Sequence, residues 1–405
     1  MRDWTSVPFR ELMLVPTRNG IHKGPAYQGR GTPIIKMGEV YTSPYVGERR
    51  RDLFDLTASE QRKTAVQEGD LLFCRTSLVA DGVGRCAIVK PLEATTSFAS
   101  NLIRVRLDPA RVDWRYAHSF FMSPGGRDLV RSISRGTSVT TITGPDLADL
   151  PVPLPPLSEQ RAIGALIRSL DDKVEANRVL VRALRDLARQ ELASAQTDRT
   201  DRLGNLAEIR RGIAYTSSGL GRGGLPMVNL ANADNYGWLK RSGTKPYSGP
   251  FKPRHIAKPG SLLLTGVEQS WSNEILGWPM LVPNDFGPAL FSQDLFIVDF
   301  RPDFAWSRLP VWGALFETDS RSFLEGHTYG STIARIPREA FENLVVRLPK
   351  EDDDAIERAD ASLRRAWAAE TETLGVQDLR DTLVPGLFSG RLRVRHSETP
   401  IGAVP

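Results

Sequence analysis

The feature that most constrains the fold is that the chain is written twice. Arg18-Asn19-Gly20-Ile21 returns as Arg210-Arg211-Gly212-Ile213, 192 residues later. Gly69-Asp70-Leu71-Leu72-Phe73 returns as Gly260-Ser261-Leu262-Leu263-Leu264 at an offset of 191. Asn101-Leu102-Ile103 and Asp294-Leu295-Phe296 lie 193 apart; Gly136-Thr137-Ser138 and Gly330-Ser331-Thr332 lie 194 apart, as do Leu154-Pro155 and Leu348-Pro349. Each match alone is weak, because Gly and Leu are common. Together, in order and with little drift, they mark a duplicated unit of about 190 residues.

Each copy follows one plan. Short β-like runs sit between Gly, Pro, Asn and Ser breaks: Gly31 to Val40, Asp70 to Arg75, Arg85 to Val89 and Leu102 to Leu107, then Leu225 to Leu230, Ser261 to Thr265 and Leu295 to Phe300. Short helices intervene, such as Trp114 to Met122 and Pro310 to Phe316. Each copy closes on a long helix. The expected fold class is α+β: two tandem globules of mixed β-structure with short helices, each followed by a long helix, the two helices pairing as an antiparallel coiled coil. The expected boundaries are 1–155 and 201–349 for the globules, 156–200 and 350–395 for the helices, and 396–405 for a tail.

The first long helix carries the sharpest pattern. Pro156 ends the preceding strand, Ser158 can cap the helix, and Glu159 lies in the first turn, where the helix dipole favours an acid. Ile163, Ile167, Leu170, Val174, Asn177, Val181, Leu184 and Ala188 then recur in alternating steps of four and three, the period of a coiled-coil seam. Asn177 is the polar member; it either fixes register while buried or is solvated at the seam edge. The second helix is rougher. Leu363, Trp367 and Leu374 carry its apolar stripe, Gly375 reads as an interruption, and Leu379 and Leu383 continue it to Pro385.

Composition excludes several classes. Only Cys74 and Cys86 occur, without Cys-x-x-Cys spacing, and the five His are scattered, which argues against a disulfide framework or a zinc site. No apolar run approaches a membrane span, and Met-Arg-Asp-Trp lacks a signal peptide's apolar stretch; the expected location is the cytoplasm, with no membrane partner. Net charge is +5, and most of the 53 basic residues are Arg, which suits an anionic partner. No Gly-Lys-Ser/Thr phosphate loop is present. Gly219 to Gly224 superficially resembles a dinucleotide loop but precedes a strand, where that loop requires a helix. Asn-Pro-Pro-Tyr, expected of an adenine methyltransferase, is absent.

Leu154-Pro155-Pro156-Leu157-Ser158-Glu159-Gln160-Arg161-Ala162-Ile163, followed by Leu170-Asp171-Asp172-Lys173-Val174-Glu175-Ala176-Asn177, resembles the central conserved region of type I restriction-modification specificity subunits. Leu383-Val384-Pro385-Gly386-Leu387-Phe388-Ser389-Gly390-Arg391 resembles the family's C-terminal close, and the Gly20, Gly212 and Gly69-Asp70 segments resemble its target recognition domains. The resemblance covers residues 1–395. The second helix departs from it, opening Leu348-Pro349-Lys350-Glu351-Asp352-Asp353-Asp354 without Glu-Gln.

The resemblance implies a non-catalytic, sequence-specific DNA-binding subunit in a defence system against foreign DNA. Each globule would read half of a bipartite target, and the helices would set the gap and dock two methyltransferase subunits. A separate motor-nuclease subunit would add restriction. No cofactor is expected in this chain; S-adenosylmethionine, ATP and Mg would belong to the partners. Pro156, Leu157, Glu159, Gln160, Ile163, Ile167, Leu170, Val174, Asn177, Leu184, Leu363, Trp367 and Leu374 are the expected helix and partner positions.

Duplex DNA demands cations for phosphate and planar or hydroxylic side chains for base edges. The first globule offers Arg49-Arg50-Arg51, Arg75-Thr76 and Arg135 with Thr137-Ser138. The second offers Arg210-Arg211, Arg222, Lys240-Arg241, Lys245 with Tyr247, and Ser331-Thr332. Two other classes stay open: a coiled-coil scaffold with two protein-binding heads, and a free-standing nuclease, which needs only a few carboxylates and a Lys.

Overall fold

The computed structural model describes residues 4–136, 138–234, 237–268 and 275–394. It divides into two compact units, Met1–Glu175 with Leu374–Pro405, and Ala176–Thr373. Among the described residues no helix is long and apolar enough to cross a membrane.

The first unit is built on a five-stranded sheet in the order Met13–Asn19, Leu102–Leu107, Leu71–Cys74, Cys86–Val89, Tyr45–Val46, antiparallel except at the last pair. Leu71–Cys74 and Cys86–Val89 are apolar at every position because the sheet is covered on both faces. Successive side chains point to opposite sides. Leu71, Phe73, Cys86 and Ile88 therefore join Phe9, Tyr116 and Phe121 in one core, while Leu72, Cys74, Ala87 and Val89 join Ile35 and Phe98 in another. Both cysteines are free and buried. Val40, expected at the end of a strand, lies in a short helix, Met37–Thr42, after the strand Gln28–Ile35.

The second unit repeats the plan with four strands, ordered Ala207–Arg211, Leu295–Phe300, Leu262–Thr265, Pro279–Leu281. The duplication extends to single hydrogen bonds. Gly20 N–H donates to the Leu102 carbonyl and Ile21 N–H to Phe98; Gly212 N–H donates to Leu295 and Ile213 N–H to Phe291. Only glycine fits these seats. A Cβ would come within 2.2 Å of the Phe98 carbonyl oxygen at Gly20 and 2.1 Å of the Ser292 oxygen at Gly212.

The central helix spans Leu157–Ser194 and the C-terminal helix Asp354–Phe388. In the first unit Ile163 and Ile167 share a core with Val384 and Leu387, and Arg380 pairs with Asp171 at 2.9 Å. In the second unit Asn177 is buried and donates to the Ala369 carbonyl and the Glu372 carboxylate, while Arg358 pairs with Glu191. The rising residue numbers of one helix meet the falling numbers of the other, so the pairing in each unit is antiparallel. Gly375 does not interrupt the second helix, and Pro385 lies within its last turn. Leu374 is 40% exposed and the buried neighbour is Thr373, because the stripe runs through Ala359, Leu363, Ala366 and Thr373.

His118, on the helix Trp114–Met122, is buried and donates its Nε2–H to the Cys86 carbonyl at 3.1 Å. Burial holds its pKa down to about 4. The unfolded chain takes up a proton near pH 6.5 and the folded chain does not until near pH 4, so this contribution is complete above pH 6.5 and is lost as pH falls toward 4. At full extent it amounts to about 3 kcal/mol. Urea unfolding at pH 7 and pH 4.5 should show a smaller acid loss for His118→Gln than for the parent; equal losses would refute the assignment.

Candidate nucleic-acid interface

In the first unit the strand Thr76–Ser77 pairs with Thr140–Thr141, and Arg135 exchanges two backbone hydrogen bonds with Thr141. The structure thus brings Arg75, Thr76 and Arg135 onto one small ribbon. Arg135 is exposed and pairs with Asp146 at 3.2 Å. Leu78, Val79 and Val139 are exposed at the ribbon's end, as is Ser138. Thr137 lies outside the described residues. The Met37–Thr42 helix links this ribbon to the Arg49–Arg51 loop, since Tyr41 donates to Ser77 and Glu39 accepts from Arg51. Arg49 and Arg50 are exposed.

Arg51, expected to face DNA, has its side chain buried instead. Its side chain is 3% exposed and is held by the Glu39 carboxylate and the Gly47 carbonyl, so it fastens the loop and cannot face a ligand.

In the second unit the matching ribbon joins Val267–Glu268 to Ala334–Arg335, with Tyr329 and Arg335 exchanging backbone bonds. It borders a cleft of about 510 Å³ lined by Arg210, Arg211, Arg254, Arg335 and Arg338, with Tyr329 exposed beside it. Ser331 and Thr332 are exposed in the connecting turn. Arg210 pairs with Asp299 and donates to the Arg254 carbonyl; Arg211 donates to the Gln293 carbonyl. His255 registers the positive field: loss of water and then Arg254, Lys252 and Arg210 hold its pKa below the usual range. Such a field suits an anion with several charges.

Two further expectations fail here. Arg241 is engaged by Asp285 and Glu370, and Tyr247 is 2% exposed with its ring against Tyr215. Both build the unit rather than its surface. Lys240 and Lys245 are exposed, and the side chain of Arg222 lies outside the described residues. Sequence reading missed Arg254, Arg335 and Arg338, which stand apart in the chain and meet only in the fold. Among the described residues no group of three or more His, Cys, Asp or Glu could hold a metal ion.

At the head of the central helix, Pro156 is exposed while Leu157 and Glu159 are half-buried. Gln160 is buried instead of presented to a partner. Its side chain accepts from Asp113 N–H at 2.9 Å and donates to the carbonyls of Arg111 and Pro155. That clamp explains the Gln physically, because a planar amide can satisfy one donor and two acceptors of an otherwise buried turn. Along the seam Ile163, Ile167 and Val174 are buried, Leu170 and Leu184 half-buried, and Leu363 and Trp367 buried, the last stacked on Trp238.

These features define a duplicated α+β protein with arginine-bearing heads and long paired helices. No protein-family model matches the chain. Over 162 residues it is 31% identical to the specificity subunit of the type I restriction enzyme EcoKI from Escherichia coli (strain K12), covering 40% of this chain and 34% of that protein. It is 27% identical over 160 residues to the StySPI specificity subunit from Salmonella potsdam, covering 39% and 34%. The matched segment thus spans about a third of each relative's length. A crystal structure of the type I restriction-modification S subunit from M. genitalium has the same fold, with a TM-score of 0.57 and 14% identity over 95% of this chain and 96% of that one. In sequence over part of its length, and in fold over nearly all of it, the chain is similar to type I restriction-modification specificity subunits.

Proposed function

We propose that the chain is the DNA-recognition subunit of a type I restriction-modification complex and performs no covalent chemistry itself. Each head reads one half of a bipartite duplex site with an unspecified gap. The paired helices dock two methyltransferase subunits, and restriction motor-nuclease subunits join that assembly in the cytoplasm. S-adenosylmethionine, ATP and Mg act on those partners. The observation that carries this reading is the duplication itself: two structurally equivalent heads, each with a ribbon bearing an arginine and exposed polar residues, occur in one chain that is similar to specificity subunits.

Titrating duplex DNA against the purified chain, alone and with its methyltransferase, tests it. Binding should weaken as salt rises, since phosphate contacts release counterions. Methyl transfer should appear only when the methyltransferase is present. Absence of duplex binding in both states, or methylation or cleavage by the pure chain, would overturn the reading.

A further inference from the structure

Both heads carry the same glycine-flanked arginine loop. In the first head the strand Gln28–Ile35 opens into a wide bulge, because Gln28 and Thr32 both stand opposite Phe54. Gly29-Arg30-Gly31 loops out between them. In the second, Leu220 and Leu225 of the strand Leu220–Val228 both stand opposite Tyr247, and Gly221-Arg222-Gly223-Gly224 loops out. The two arginines are 192 residues apart, the offset that relates Gly20 to Gly212.

The glycines show what the loops are built for. Gly29, Gly31, Gly221, Gly223 and Gly224 all have φ between 81° and 109°, a region that other residues rarely adopt. Gly31 and Gly224 hold the same seat, where a Cβ would strike the carbonyl oxygen of Phe54 or Tyr247. Gly29, Gly221 and Gly223 have open space around them, so their glycine identity serves only the backbone turn. In the first head the result is a narrow projection with a single long side chain. The Arg30 side chain is 84% exposed and is met by Asp55, itself half-exposed, at 3.1 Å. An exposed pair of this kind holds weakly and can be given up to a ligand. Ser248 stands in the second head where Asp55 stands in the first.

We propose that these loops are the guanine readers, one for each half-site, with Arg30 and Arg222 each donating two N–H bonds to O6 and N7 of a guanine in the major groove. This rests on the DNA-recognition reading above and adds to it the residues that set specificity. Phosphates lie at the surface of the duplex and need no projecting finger, whereas base edges lie at the groove floor. A loop stripped of side chains beside one guanidinium reaches there with least obstruction. The planar fork of Arg matches the paired acceptors of guanine and no other base edge so well.

The test is selection from a pool of random duplexes by the full chain purified with its co-expressed methyltransferase, at two salt concentrations. The variants are Arg30→Ala, Arg30→Lys and Arg222→Ala, with thermal melting as the control for folding. The parent should select a guanine in each half-site. Arg30→Ala should lose the preference for one guanine in one half by about 5- to 150-fold and leave the other half and the salt dependence unchanged. Arg222→Ala should do the same to the other half. Arg30→Lys should keep the charge and still lose the preference. Unchanged selection, a uniform loss of affinity with shallower salt dependence, or half-sites without guanine would overturn this proposal alone. A parent that selects no sequence would defeat the recognition reading as well.

Discussion

Asp70→Ala is expected to destabilise the first unit by about 3–5 kcal/mol, the cost typical of breaking a buried ion pair from one side. The Asp70 side chain is 1% exposed and receives two bonds from Arg106, at 2.8 and 2.7 Å, and one from Gln67 N–H. Arg106 also donates to the Ala65 carbonyl, as does Arg104, which is buried with its Nε unpartnered. Removing the carboxylate leaves two guanidinium groups close together in a poorly solvated corner. Burial first, and then the neighbouring Arg106, already hold the Arg104 pKa below its usual value. Adding Arg106→Leu to Asp70→Ala should recover part of the loss, because a buried charge without a partner costs more than its absence. In the second head Ser261 takes the place of Asp70 and accepts from Lys258 N–H, so Ser261→Ala should cost only about 1 kcal/mol. Chemical denaturation of the three variants decides this; an Asp70→Ala loss below about 1 kcal/mol would contradict it.

The central helix has 38 residues, or about 57 Å at about 1.5 Å per residue. On the proposed reading the paired helices set the distance between half-sites. Removing one heptad from the central helix, and the seven residues facing it in the C-terminal helix, keeps the seam in register. It shortens the pair by about 10 Å, close to three base pairs of rise. The preferred gap should change accordingly while both half-sites keep their sequences. Sites mapped with the shortened chain and its methyltransferase would show this. A gap indifferent to helix length would break the link between the helices and target spacing.

Much of this architecture was legible in the sequence because it rests on periodicity. The repeat offsets record the duplication, and the apolar run at Leu71–Cys74 and the four-three spacing from Ile163 to Ala188 record burial. The helix stops did not read correctly. Gly375 and Pro385 signal a break locally, but Thr373, Val384 and Leu387 are buried on either side and packing outweighs the weak propensity. The site was harder still, because an arginine's sequence neighbours do not disclose its partner. Arg241 resembles a free cation until Glu370, 129 positions away, closes on it. Arg30 was passed over beside the more crowded Arg49-Arg50-Arg51, although its flanking glycines mark it in both copies.

Mapping modified bases across the DNA of cells carrying the chain and its methyltransferase, against cells lacking the chain, tests whether the chain directs modification to a bipartite site. Modification should depend on the chain and fall on one target of two specified parts separated by a fixed unspecified gap. A single contiguous target, or modification that persists without the chain, would contradict it.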